Sequence, residues 1–148
     1  MQTYFGSTLR SGSGTLTDST DGGFVVLMQT STVTTNADGT ASSTSVTIPA
    51  NSQIIDILID QTQNESVGGG TATAINATVG TAAAGTQYLS ATDVIGGGRA
   101  ALTFTAAQLA AMADVGSSTG VFLTVDPNGT ISTTQGIYRF TVVYAQKG

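Results

Sequence analysis

Apolar residues along this chain fall in short runs of strand length, separated by clusters of Gly, Asn, Asp and Ser. Residues 24–35 open with Phe24, Val25, Val26, Leu27 and Met28, apolar on both faces of a strand. Such a strand is expected to be buried on both sides or to lie in an interface. Asn36, Ala37, Asp38 and Gly39 supply turn chemistry, and residues 40–48 return with Val46 and Ile48 on one face, so the pair predicts a hairpin. Pro49 ends it. Residues 53–61 form a second strong strand. Ile55, Ile57 and Ile59 are expected to make a continuous β-branched face, with Ile54, Asp56, Leu58 and Asp60 on a wetter one. A weaker strand is predicted over 71–79 and further strands over 87–95, 99–104 and 121–125, with a type I turn at 126–129. The last strand, 137–146, places Tyr138, Phe140, Val142 and Tyr144 on one face.

One segment has a helical pattern. Thr105 can cap residues 106–113, and Leu109 and Met112, three apart, are expected to pack onto the β core. Eight or nine short strands with one helix near 105–113 predict an all-β protein, a β-sandwich of the jelly-roll kind. Residues 24–148 read as a single domain. Residues 1–23, rich in Gly, Ser and Thr, read as a flexible N-terminal arm. If that arm orders on a neighbouring subunit, Tyr4, Phe5 and Leu9 are its apolar anchors, with Arg10 beside them.

Composition narrows the chemistry. The 148 residues include neither His nor Cys, which removes Ser-His-Asp and Cys-His catalysis, thiolate zinc sites and disulfides. Hydrophobic residues reach 40%, enough to argue for a folded core rather than disorder. Net charge is −5, and the four basic residues, Arg10, Arg99, Arg139 and Lys147, form no run. Binding to nucleic acid or to an anionic membrane is therefore disfavoured. No signal peptide pattern and no membrane-length apolar run are visible, which points to synthesis in the cytoplasm.

Candidate sites are few. Asp56 and Asp60 lie four residues apart on one strand, about 13 Å at 3.3 Å per residue. That exceeds the separation of a glycosidase carboxylate pair, so a solvated or salt-bridged face is expected, with Arg139 a cross-strand partner for Asp56 or Asp60. Asp18 and Asp21 lack the ligand set of a calcium loop. The glycines at 68–70 and 96–98 lack the Lys-Ser/Thr of a phosphate loop and read as β connections. The sequons at Asn64, Asn76 and Asn128 read as chance matches in a Ser/Thr-rich chain. Tyr4, Phe5, Tyr88, Phe122, Tyr138 and Tyr144 are candidate interface anchors, with a core position the alternative for each. No catalytic, cofactor or metal residue emerges.

Three segments together carry a resemblance: Phe24-Val-Val-Leu-Met-Gln, then Ile48-Pro-Ala-Asn-Ser-Gln-Ile-Ile-Asp-Ile-Leu-Ile-Asp, then Ile137-Tyr-Arg-Phe-Thr-Val-Val-Tyr-Ala-Gln. Their order, with the Gly-rich middle and the Thr-Ala-Ala-Gln-Leu-Ala helix, resembles small virion structural proteins of tailed bacteriophages, including capsid decoration (cement) proteins. The resemblance runs from Phe24 onward. It implies a non-enzymatic protein on the outer capsid surface, bound to the major capsid protein and self-associated, with a trimer favoured over a dimer. It implies no cofactor. The competing readings are another virion part, such as a head fibre base, neck or tail protein, and a cellular carbohydrate-binding or adhesin-like module. With 6% aromatics and no Trp, the chain offers little for a sugar platform.

Overall fold

The computed structural model describes residues 25–66 and 68–146. In chain order the elements are β1 (Val25–Thr34), β2 (Ser42–Thr47), β3 (Gln53–Gln63), β4 (Ile75–Gly80), β5 (Leu89–Asp93), β6 (Gly98–Arg99), α1 (Ala106–Ala113), β7 (Gly120–Pro127) and β8 (Ile137–Gln146). They form two four-stranded sheets, ordered β1-β8-β3-β6 and β2-β7-β4-β5. Strand pairing is antiparallel throughout, and β1 meets β8, β2 meets β7, β3 meets β6 and β4 meets β5. This is the pattern of one long hairpin rolled over on itself, closed by β3–β8 and β4–β7 pairing. It is a jelly-roll sandwich.

The expected hairpin between the first two strands does not form. β1 and β2 lie in opposite sheets, and the turn at Asn36–Gly39 is an arch between them. Turn residues allow the chain to reverse but do not choose its partner. Here β1 pairs with β8 over ten residues and β2 with β7 over six. Across the sandwich, Ser31 and Thr44 join their hydroxyls at 2.6 Å.

The core fills from both inner faces. Tyr138, Phe140, Val142 and Tyr144 of β8 are buried as expected, opposite Val121, Leu123 and Val125 of β7 and Ile75, Ala77 and Val79 of β4. In β3 the expected phase holds for only part of the strand. The ladder with β8 slips between Ile54 and Asp56, a β-bulge that turns Ile54 inward and leaves Ile55 47% exposed, while Ile57 and Ile59 stay buried. The strands expected over 71–79, 87–95 and 99–104 are shorter than the sequence suggests, since 71–74 and 100–104 run without strand pairing. β7 extends through Pro127, so the turn there is confined to the residues after it.

Helix α1 begins as read. Thr105 Oγ1 accepts from the Gln108 backbone N–H at 3.2 Å, and Gln108 Oε1 accepts from the Thr105 N–H at 2.8 Å, a capping box. Its buried face, however, is Gln108 and Met112, whereas Leu109 is 53% exposed. The reason is polar. Gln108 Nε2 donates to Ser90 Oγ at 2.9 Å and to the Thr86 carbonyl at 3.4 Å, which ties α1 to the start of β5 and rotates Leu109 outward. Gln108→Ala is expected to cost about 1 kcal/mol in thermal unfolding, since it removes the Gln108 half of the capping box and the hydrogen bonds to Ser90 and Thr86. A loss no larger than that of Leu109→Ala would refute this account of the helix.

Candidate interaction surface

The two ends of the sandwich differ. At one end the loops after β1, β3 and β7 are stitched together, with Ile131 N–H to the Ala37 carbonyl at 3.0 Å, Thr71 N–H to Thr130 at 3.0 Å and Ser132 N–H to Ser66 at 2.9 Å. Asn128 Oδ1 accepts from the Thr73 and Ala74 N–H groups at 2.7 and 3.0 Å, so this sequon asparagine braces a loop. Beneath lies a polar cluster: the Tyr138 hydroxyl donates to Glu65 Oε2 at 3.1 Å, and Gln61 Nε2 reaches both Glu65 and, at 3.1 Å, Tyr138. Burial first, and then the Glu65 charge, push the Tyr138 pKa upward, so the phenol stays a neutral donor. The 96–98 glycines have a local role here. All three take positive φ, which lets the Gly97 N–H donate to Gln61 Oε1. These groups lock the loops of this end together.

The other end, where β1 begins and β8 finishes, presents the outer face of the first sheet. The ladders place Val26 beside Ala145, whose other neighbour is Gln53, and Met28 beside Val143, whose other neighbour is Asp56. Val26 is 57% and Met28 71% exposed, and Ile55 joins them from the bulge. Val26 and Met28 are thus not buried on both sides within the chain, while Leu27 between them packs against the core. Val26 and Met28 lie on β1 and Ile55 two strands away on β3, with β8 between them, and exposed apolar residues grouped on one face mark an interaction surface more often than scattered ones do. Leu109 on α1 is the remaining large exposed apolar residue among those described.

Further along the same face, Asp60 is held by two arginines. Arg99 Nε meets Oδ1 at 2.8 Å, and both Arg99 Nη2 and Arg139 Nη2 meet Oδ2 at 3.1 Å. The Arg139 pairing was legible from its place on β8. The Arg99 pairing depends on the two-residue β6 aligning Arg99 with Asp60, which no local pattern signals. The Arg99 hydrogen bonds, then those of Arg139, hold the Asp60 carboxyl below the usual range against an opposing effect of burial. A lowered folded pKa contributes stability above about pH 4, and that contribution is lost as pH falls through the folded value. Asp60→Asn is therefore expected to cost about 0.5–1 kcal/mol near neutral pH, because both guanidiniums stand half in water. Urea unfolding of both proteins should show the gap closing below about pH 4; a gap that widens in acid would exclude the assignment.

Of the aromatic candidates, Tyr88, Tyr138 and Tyr144 are core residues and Phe122 is half-buried, because each lies on or next to an inward-facing strand position. Tyr4, Phe5, Leu9 and Arg10 lie outside the described residues, as do Asp18 and Asp21. Asp56 is exposed and accepts from the Ile57 N–H at 2.8 Å; it forms no carboxylate pair with the arginine-bound Asp60. Among the described residues no group of three or more acidic side chains could hold a metal, and no helix is long and apolar enough to cross a membrane.

No family model matches the chain, and no curated protein matches it in sequence. Among solved structures, a chain described as part of the cyanophage Pam1 capsid asymmetric unit is similar in fold. The TM-score is 0.59 at 18% identity, over 97% of this chain and 96% of that one. At that identity the likeness is one of fold, and it extends over nearly the full length of both chains.

Proposed function

We propose that this chain is a non-enzymatic structural protein of a bacteriophage virion, and within the virion a decoration (cement) protein on the outer surface of the head. The observation that carries the reading is the near end-to-end match of its jelly-roll to a chain of a phage capsid asymmetric unit.

Three features of the chain support the finer reading. A net charge of −5 suits a position outside a DNA-filled shell, where phosphates do not repel it. The exposed apolar residues of β1 and β3 suit a protein whose working state is an assembly. Asp60 and Tyr138 are engaged in ion pairs or hydrogen bonds that hold strands and loops together. The partner in this reading is the major capsid protein, with self-association alongside. The arm at residues 1–23, with Tyr4, Phe5, Leu9 and Arg10, is the anchoring segment.

Electron microscopy of the source particle tests the reading. Regular density of this size on the outside of the shell is the expected result, and density confined to the neck or tail would assign it elsewhere in the virion. Removing residues 1–23 should abolish head binding in a pull-down with undecorated particles. Undiminished binding would show that the anchor lies in the sandwich.

A further inference from the structure

Among the described residues strand β1 is an edge strand, and it differs from the other three edges. β6 is two residues long, and β5 carries Asp93 and a break in register. β2 is six residues of Ser, Thr and one Val, with Ser43, Ser45 and Thr47 exposed. β1 runs ten residues in unbroken register with β8 and has no charge and no proline. Edges are ordinarily protected by charge, proline, bulges or brevity, and an unprotected apolar edge is a template for another strand. Val26 and Met28, the two most exposed large apolar side chains among those described, sit on this edge.

Charge limits what can cover it. Any second copy also carries −5. Asp38, Asp93 and Asp126, all exposed, lie on the arch loop and the second sheet, so contact between copies there would oppose like charges. On the first sheet the two carboxylates, Asp56 and Asp60, are equalled in number by Arg99 and Arg139, both of which pair with Asp60, and β1 itself is neutral. The surface around β1 is therefore a place where two acidic copies can meet without repulsion. An antiparallel pairing of a strand with its own copy needs only a two-fold axis.

We infer that two copies of this chain join by antiparallel pairing of their β1 strands about a two-fold axis, with Val26 and Met28 of each in the contact. The inference deepens the proposed function, because it names the surface through which copies associate. An isologous contact closes as a dimer, in place of the trimer that the resemblance favours. The joined sheets run continuously through eight strands, β6-β3-β8-β1 and their mates.

The oligomeric state of the full chain, measured by light scattering over a concentration series, tests this. The wild-type protein is expected to be dimeric. Met28→Asp should weaken association about tenfold or more, since it puts an unpaired carboxylate into the contact, whereas Thr47→Asp on edge β2 should not. A wild-type monomer at about 100 µM, well above a micromolar dissociation constant, overturns the inference; so does a Met28→Asp dimer of unchanged affinity, or equal loss in Thr47→Asp. Should Met28→Asp fail to fold, the cysteine-free chain offers a second test. Of Val26→Cys and Met28→Cys, the one nearer the two-fold axis should cross-link into a covalent dimer on mild oxidation, and Thr47→Cys should not. Equal cross-linking at all three sites would dismiss the contact. Binding to undecorated heads is assayed separately. A dimer that ignores heads overturns the proposed function and leaves the β1 contact standing, and a monomer that binds heads does the reverse.

Discussion

Phe140→Ala is expected to remove about 3–5 kcal/mol of folding free energy, the largest loss of any single truncation considered. Phe140 is fully buried at the middle of β8. β8 is the strand through which β1 and β3 are held in one sheet, since it pairs with both. Its ring belongs to the core cluster that includes Ile59, the residue opposite it on β3. The alanine variant loses the transfer energy of the ring and leaves a cavity that two paired neighbours prevent from collapsing. Domains of this size have a total stability of roughly 5–15 kcal/mol, so the variant should sit close to the unfolding threshold. The check is the urea midpoint, read with the slope to confirm two-state behaviour. A shift of less than about 1 kcal/mol would mean that the core relaxes around the gap, contrary to its close packing.

Gly39→Ala is expected to cost about 2–3 kcal/mol, from two sources that add. Gly39 has φ +83, a conformation that L side chains rarely adopt. A Cβ there would also stand 2.7 Å from the Gly129 carbonyl oxygen, so the arch and the loop after β7 would have to separate. Backbone cannot yield as a side-chain end can. Gly116→Ala is the control: its φ is +58, but nothing lies within 4 Å of the added carbon. Ala84, at φ 59, already shows that the fold accepts an alanine in that conformation. Gly116→Ala should therefore lose about 1 kcal/mol or less. Thermal melts of both variants separate the effects, and equal losses would assign the whole cost to φ and none to the close approach.

The distinction between what the chain pattern carries and what packing supplies is clear in particular elements. The alternation of Tyr138, Phe140, Val142 and Tyr144 made their inward face legible, because period-two alternation is a property of one strand alone. The capping box of α1 was half legible for the same reason: Thr105 and the helix formers after it are neighbours in sequence. Leu109 could not be read. Its exposure follows from Gln108 bonding to Ser90 and Thr86, residues that α1 meets only after the chain has rolled up. Ile55 was misplaced by a bulge that exists only in the pairing of β3 with β8.

The candidate surface divides in the same way. The apolar run from Phe24 to Met28 signalled either burial on both sides or an interface, and tertiary structure chose between them by setting β1 at a sheet edge. The sequence by itself determined the class of fold, the absence of thiol and imidazole chemistry, and the acidic charge, since these depend on residue identity and local period. Strand partners, sheet edges, the Asp60 clamp and the exposure of Val26 and Met28 were decided only by the tertiary structure. Each depends on which distant strand covers which, and that is set by the total apolar area buried across the whole sandwich, not by any one segment.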